Sequence, residues 1–240
     1  MALAQLKTDT TEARLAGVTV PQGAAWSNAV RADAMARVRQ MGLPTKRDEY
    51  WKYTDPASLT TADAAPASLF HNDEGPLFDA VDRVKIVFVD GVFDADASDD
   101  LKAEGVEIER LAEAMQTDIH WAKDVYGVLE ARGQIPVERP LAALNTALAT
   151  DGVVIRATGK AEKPINFIYL HKDENSDAML HNIVKVEEGA EVTVLETGPA
   201  AARFSKLLEV EVADGGTFNH VRAQGRDHER RAITHCFARI

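Results

Sequence analysis

The feature that most constrains the fold of this chain is a short apolar, acidic and glycine-containing unit that occurs twice in its last third. Val186-Glu187-Glu188-Gly189-Ala190-Glu191-Val192 recurs as Val212-Ala213-Asp214-Gly215-Gly216-Thr217-Phe218, an offset of 26 residues. A repeat of this length is typical of stacked units that cannot bury their apolar face alone. The last residues, 233–240, resemble the beginning of a third unit. We therefore expect a stack of strands joined by glycine turns.

The composition of the segments around this repeat predicts a series of strands. Runs rich in β-branched and aromatic residues occur at 153–157, 165–171, 182–186, 191–196, 207–212 and 217–223. Several of them are apolar at nearly every position, as strands covered on both faces are. This favours parallel stacking, although a sandwich of antiparallel strands also fits such spacings.

The first 150 residues follow a different pattern. A helix with an apolar stripe is predicted between Ser27, as its N-terminal cap, and Gly42, as its C-terminal cap. A polar linker follows at 60–76, and a hairpin is predicted around a turn at Asp90-Gly91. Short helices are expected at 111–115, 120–129 and 140–148.

These patterns divide the chain into three parts. Residues 1–80 form an N-terminal helical region and linker, and 81–150 a hairpin with short helices that lead into the core. Residues 151–240 form the stack of strands. The fold class that we predict is α+β.

Charge and cysteine content exclude several classes of function. The net charge of −11 disfavours binding that depends on neutralising phosphates, so nucleic acid and anionic membrane are not expected partners. No stretch reaches the roughly 18 apolar residues of a membrane span. The single cysteine, Cys236, leaves no intramolecular disulfide. We interpret the chain as soluble and cytoplasmic.

Common catalytic motifs are missing, and the remaining candidates are metal ligands and acids. The sequence has no phosphate-binding loop, no Gly-x-Ser-x-Gly and no Cys-x-x-Cys. A late group of soft or borderline ligands suits iron, zinc or copper: His220, His228, His235 and Cys236. Because neighbouring residues of a strand point to opposite faces, His235 and Cys236 should not bind one ion without a bulge. Ordinary packing or solvated turn positions explain the same residues.

Three segments resemble the SufD branch of the SufB/SufD family, which belongs to the SUF machinery of iron–sulfur cluster assembly. The first is Gly42-Leu43-Pro44-Thr45-Lys46-Arg47-Asp48-Glu49-Tyr50-Trp51-Lys52-Tyr53-Thr54. The second is Leu141-Ala142-Ala143-Leu144-Asn145 followed by Asp151-Gly152, with Leu141 where the family pattern has an aromatic residue. The third is Glu187-Glu188-Gly189-Ala190 followed by Val192, Val194 and Glu196. They occur in the family's order.

This resemblance implies an N-terminal helical region followed by the first coils of a right-handed parallel β-helix, incomplete at residue 240. It implies a non-catalytic scaffold, here an N-terminal fragment, that works with the sister subunit SufB and the ATPase SufC; a homodimer stays open. It assigns no catalytic residue and no resident cofactor to this chain, and an iron–sulfur cluster is expected only transiently in the assembled complex. The alternative is a β-helix enzyme acting on a carbohydrate or acyl donor with acids such as Asp151, Glu187 and Glu188.

Overall fold

Two sheets of mainly parallel strands face each other behind an N-terminal layer of helices. The structure is a computed structural model and describes residues 3–69, 77–198, 200–224 and 229–240. The helices are α1 (Leu3–Leu15), α2 (Ala25–Met41), α3 (Ala57–Thr60), α4 (Leu111–Ala114), α5 (Val128–Arg132) and α6 (Pro140–Leu148), with 3₁₀ turns at Glu49–Trp51 and Trp121–Asp124. The strands are β1 (Val84–Val89), β2 (Val92–Phe93), β3 (Lys102–Ala103), β4 (Val106–Arg110), β5 (Val153–Ala157), β6 (Ile165–Leu170), β7 (Asp177–Val186), β8 (Glu191–Thr197), β9 (Arg203–Val212), β10 (Thr217–Arg222) and β11 (Arg231–Arg239).

From β5 onward, successive strands alternate between the two sheets. The first sheet has the order β10-β8-β6-β1-β2, and the second has the order β11-β9-β7-β5-β4-β3. Each strand from β7 to β11 pairs in parallel with the strand two before it. Antiparallel pairs are confined to β1–β2, β3–β4 and β4–β5 among the described strands. The antiparallel sandwich that the sequence left open is therefore wrong.

The repeat predicted from sequence is confirmed by the strand register. Val186 lies opposite Val212, and Glu191 lies opposite Thr217, so the offset of 26 residues places like positions side by side. The backbone N–H of Gly189 donates to the carbonyl oxygen of Asp214 at 3.1 Å, which stacks one turn on the next. Gly189 and Gly215 adopt φ values of 66° and 67°, a region that favours glycine.

The apolar core lies between the two sheets. Phe167 and Tyr169 of the first sheet meet Phe204 and Leu208 of the second, and the rings of Tyr169 and Phe204 lie 5.3 Å apart. Each such side chain contributes about 1.5–3 kcal/mol to folding when it is removed from water. Facing sheets therefore bury the apolar positions that single strands leave exposed.

Helices cover the outer face of the second sheet. Every residue of α6 is buried, and the side-chain amide of Asn145 donates to the carbonyl oxygens of Leu180 at 3.2 Å and Ser205 at 3.0 Å. The guanidinium of Arg31 on α2 donates to the carbonyl oxygen of Ala147 at the C-terminal end of α6, at 3.0 Å. These bonds join α2 and α6 to the sheet.

The local predictions for the N-terminal half are confirmed in part. The hairpin forms at Asp90-Gly91, and Gly42 ends α2 with its N–H on the carbonyl oxygen of Val38 at 2.9 Å. Ser27 as N-cap is wrong, because α2 begins at Ala25 and the buried Ser27 hydroxyl makes a tertiary contact with the carbonyl oxygen of Met115 at 3.1 Å.

The described part of the linker, 61–69, contains no helix or strand, and residues 70–76 of that prediction lie outside the described part of the chain. None of the helices in the described ranges combines the length and apolar character needed to cross a bilayer.

Candidate functional site

A group of polar side chains interrupts the apolar core where β8 to β11 lie. We call it the interior polar cluster: Glu196, Lys206, His220, Arg222, Thr234 and Cys236. Strand alternation places Glu196 and Lys206 between the sheets, because Glu196 follows the inward-facing Val192 and Val194, and Lys206 lies between the inward-facing Phe204 and Leu208. The members on β10 and β11 lie at the open end of the stack, where His220 and Cys236 are exposed to solvent. Glu196 and Lys206 are fully removed from solvent.

Glu196 is the acceptor at the centre of this cluster. Its Oε2 atom accepts a hydrogen bond from Nζ of Lys206 and lies 3.5 Å from Nε2 of His220 and 3.8 Å from Nε of Arg222. Arg222 in turn donates to the hydroxyl of Thr234 on β11. Oε1 of Glu196 is buried and has no hydrogen-bond partner within the described residues. The cluster thus links four strands from both sheets.

The cluster favours an ionised carboxylate in the core. Burial acts to raise the pKa of Glu196, but the hydrogen bond from His220 and the charge of Lys206 outweigh it and lower this pKa from its ordinary value. Burial lowers the pKa of Lys206, and the charge of Glu196 offsets this effect only in part. Burial, strengthened by the charge of Glu196, raises the pKa of the nearby Tyr169 phenol well above its ordinary value.

The structure separates the metal-ligand candidates. His220 and Cys236 belong to the interior polar cluster, whereas His235 faces the opposite side of β11, where its ring stacks on Phe237 at 6.3 Å. His228 lies outside the described residues. In the described ranges, no three His, Cys, Asp or Glu side chains are grouped so that they could hold a metal ion. A metal site that includes His228 stays a prediction.

Two of the three acids of the enzyme alternative, Asp151 and Glu187, lie in structural contacts, and the third, Glu188, is exposed in the turn after β7. Both oxygens of the buried Asp151 are engaged, Oδ2 by Arg110 at 2.5 Å and Oδ1 by the backbone N–H of Gly152 at 2.9 Å. Glu187 lies near the other end of β5, where its backbone N–H donates to Ala157 and its carboxylate accepts from Arg156 at 2.8 Å. The hydrogen bond from Arg156 lowers the pKa of Glu187. Asp151 and Glu187 therefore do not form one site.

Sequence reasoning did not single out Glu196 and Lys206 as interacting partners. A signal was present for Lys206, because it occupies an inward position of an apolar strand by the period-two rule. Its partner is ten residues earlier on the facing sheet, so no local pattern in the sequence connects the two.

A helical layer on two facing parallel sheets, with a charged pair sealed between them, defines the class of this chain as a mixed α/β protein with a stacked-strand core. A family model described as the SufBD protein N-terminal region matches residues 19–166, and the chain belongs to this family. Its members take part in iron–sulfur cluster assembly by the SUF system, in complexes with other proteins. No curated protein sequence matches the chain.

Proposed function

We propose that the chain is a non-catalytic scaffold subunit of the SUF iron–sulfur cluster assembly complex, of the SufD type, working in the cytoplasm with SufB and the ATPase SufC. The observation that carries the proposal is the free edge of the stack within a chain of this family. Among the described strands, β10 and β11 each pair on one side only, which leaves one edge of each open for another strand.

The same proposal includes a right-handed parallel β-helix of which this chain supplies the first coils. Strands that alternate between two sheets and pair with the strand two before them support a coiled path. Stacked units are stabilised by their neighbours, and β10 and β11, which are exposed or half-buried along their whole length, offer their open edges to a further coil.

The contacts of Asp151 and Glu187 support a structural role for these two acids, which leaves Glu188 as the one acid of the enzyme alternative without such a contact among the described residues. Asp151 holds Arg110 and two backbone N–H groups, and Glu187 holds Arg156, so neither carboxylate is free to act on a glycosidic bond. In this proposal the iron–sulfur cluster is the cargo of the assembled complex, and the chain itself holds no resident cofactor.

The test is complex formation and cluster assembly with the full-length parent of this chain. Tagged parent and tagged 240-residue chain are each mixed with purified SufB and SufC, and recovered complexes are reconstituted anaerobically with iron and sulfide. We expect the parent to recover both partners and to raise the yield of assembled cluster. A parent that recovers neither partner and leaves the cluster yield unchanged contradicts the scaffold role. Strong SufC recovery by the 240-residue chain would place that contact before residue 240.

A further inference from the structure

An open groove lies on the surface between the N-terminal helical layer and β11. Two adjoining cavities of about 600 and 150 Å³ share one set of walls: Pro44, Tyr50, Trp51, Glu138 and Pro140. We call this the aromatic groove. Its smaller end reaches Ile233, Thr234 and His235 of β11. Its volume lies in the range of about 300–1,000 Å³ that is usual for binding clefts.

The walls of the groove combine aromatic and proline side chains with charged ones. Pro44 and Pro140 are buried, and Trp51 packs partly into the apolar cluster beneath α2 and α6. Tyr50 is 64% exposed and meets Trp51 edge to face, with ring centroids 6.5 Å apart. An exposed aromatic ring beside proline side chains in one groove gives an extended chain a flat surface on which to pack.

The charges along the groove leave two carboxylates available. Lys7 and Asp48 neutralise each other at 2.8 Å. Arg139 lies 5.7 Å from the centre of the Tyr50 ring, and its Nη1 donates to the carbonyl oxygens of Gly133 and Val137.

Glu49 and Glu138 also line the groove, and neither carboxylate forms an ion pair with any described residue. The exposed cations of the same segment, Lys46, Arg47 and Lys52, do not line the groove.

We propose that the aromatic groove binds an extended, proline-containing segment of a partner protein that carries a basic side chain. Proline-rich segments keep a preformed extended helix and dock into grooves lined by aromatic side chains, with little loss of conformational entropy. The basic side chain is drawn to Glu49 and Glu138. A chain of net charge −11 also attracts a basic segment at long range. This inference does not depend on the scaffold role.

The test measures binding of labelled decapeptides to the whole chain by fluorescence anisotropy. The first peptide contains two Pro-x-x-Pro motifs and one Arg. The second peptide has Glu in place of the Arg, and the third has Ala in place of every Pro. We expect saturable binding of the first peptide and affinities at least about tenfold lower for the other two, a difference of about 1.4 kcal/mol. No saturable binding of the first peptide, or equal binding of all three, overturns the proposal.

Variants of the chain test whether the peptide binds in the aromatic groove. Tyr50→Ser removes an exposed ring, so the fold is retained, and we expect about tenfold weaker binding. Glu138→Gln is expected to weaken binding of the Arg peptide about threefold and to reduce its salt dependence. The matched control is Tyr53→Ser, which changes a ring that is 91% exposed in the same segment but outside the groove, and should leave affinity within about twofold. Binding that responds equally to Tyr50→Ser and Tyr53→Ser places the peptide elsewhere and overturns the proposal.

Discussion

The Nε2 atom of His181 lies 2.8 Å from the Oε2 atom of Glu209, and both side chains are fully buried between the second sheet and its helices. Glu209 also accepts hydrogen bonds from the backbone N–H groups of Gly127 at 2.6 Å, Leu129 at 2.8 Å and Glu130 at 2.9 Å. The Glu209 carboxylate therefore accepts hydrogen bonds from the backbone N–H groups at the start of α5, and it attaches this helix to β7 and β9. Buried polar groups of this kind cost free energy when they lose a partner.

Glu209→Gln tests this attachment. An amide offers only one acceptor oxygen and turns its NH₂ group towards backbone donors, so we expect the free energy of unfolding to fall by about 2–4 kcal/mol. Urea unfolding followed by circular dichroism measures the change. Glu211→Gln, two residues along β9 and facing Arg239 near the surface, is the control and should cost no more than about 1 kcal/mol. Equal losses for the two variants would contradict the role given to Glu209.

The pair of Glu196 and Lys206 predicts an order of stabilities for three variants. Glu196→Leu leaves a buried ammonium without its carboxylate, so it should be the least stable variant. We expect its free energy of unfolding to be about 3–5 kcal/mol lower than that of the wild type. Lys206→Met should cost less, because His220 and Arg222 still lie near the carboxylate. The double variant should recover at least half of the larger loss, since two apolar groups replace the pair. Urea unfolding of all four proteins gives the coupling energy, and additive losses would show that the pair is not coupled.

His235 predicts a dependence of stability on pH. Burial, assisted by the charge of Arg139, lowers the pKa of His235 from 6.5 to about 4. Between these pH values the unfolded chain binds a proton that the folded protein does not, so this contribution to stability is lost as the pH falls from about 6.5 to 4. At pH 4 the loss in the free energy of unfolding amounts to roughly 3 kcal/mol. Unfolding of wild type and His235→Gln is compared from pH 8 to pH 4.

The difference between these two proteins should be constant above pH 7, where histidine is neutral in both states, and should move in favour of the variant below pH 6.5. At pH 8 the comparison measures only the packing of the replaced side chain. Parallel curves over the whole range would show that His235 keeps an ordinary pKa in the folded protein.

Arg203 holds the described part of the linker, 61–69, against the second sheet. Its guanidinium bonds Asp177 at 2.9 Å and donates to the carbonyl oxygens of Thr61 at 2.8 Å and Ala62 at 3.1 Å. A lysine cannot reproduce this planar set of donors, so Arg203→Lys should accelerate proteolytic cleavage within 61–69 and lower the free energy of unfolding by about 1–3 kcal/mol. Limited proteolysis with mass spectrometry locates the cut. Lys160→Met, which removes an exposed pair with Glu191, should cleave like the wild type. Equal protection of Arg203→Lys would contradict this retention.

Local sequence signals predicted the parts of the fold that depend on local chemistry. The turns at Gly189 and Gly215 have a positive φ, and the apolar positions beside them face the same core. The sequence repeat therefore predicted both the position of the turns and the register of the strands. The same holds for the hairpin at Asp90-Gly91 and for the end of α2 at Gly42.

Contacts between distant segments were beyond the reach of such signals. Ser27 has the chemistry of a helix cap, but it lies inside α2, and its hydroxyl donates to the carbonyl oxygen of Ala24 and to that of Met115, 88 residues away along the chain. Lys206 and Glu196 meet because two sheets face each other, and His181 meets Glu209 because two neighbouring strands place them on the same outer face. The position of each residue on its strand was predictable, whereas its partner was not.

The spacing of the stacked strands also sets an order of events during synthesis. β1 must wait for β6, because Val84 precedes its partner Ile165 by more than 80 positions, and this closure is slow because a long loop must be ordered first. Later strands find their partners much closer: Ile183 pairs with Val154, and Arg231 with Arg203. Once β1 and β6 have paired, a ribosome delivering about 5–20 residues per second adds a strand to an existing sheet roughly every 1–3 s. Among the described strands, the pairing of β1 with β6 spans the longest stretch of sequence, so we expect it to be the slowest pairing to form and the later strands to add quickly to the sheets.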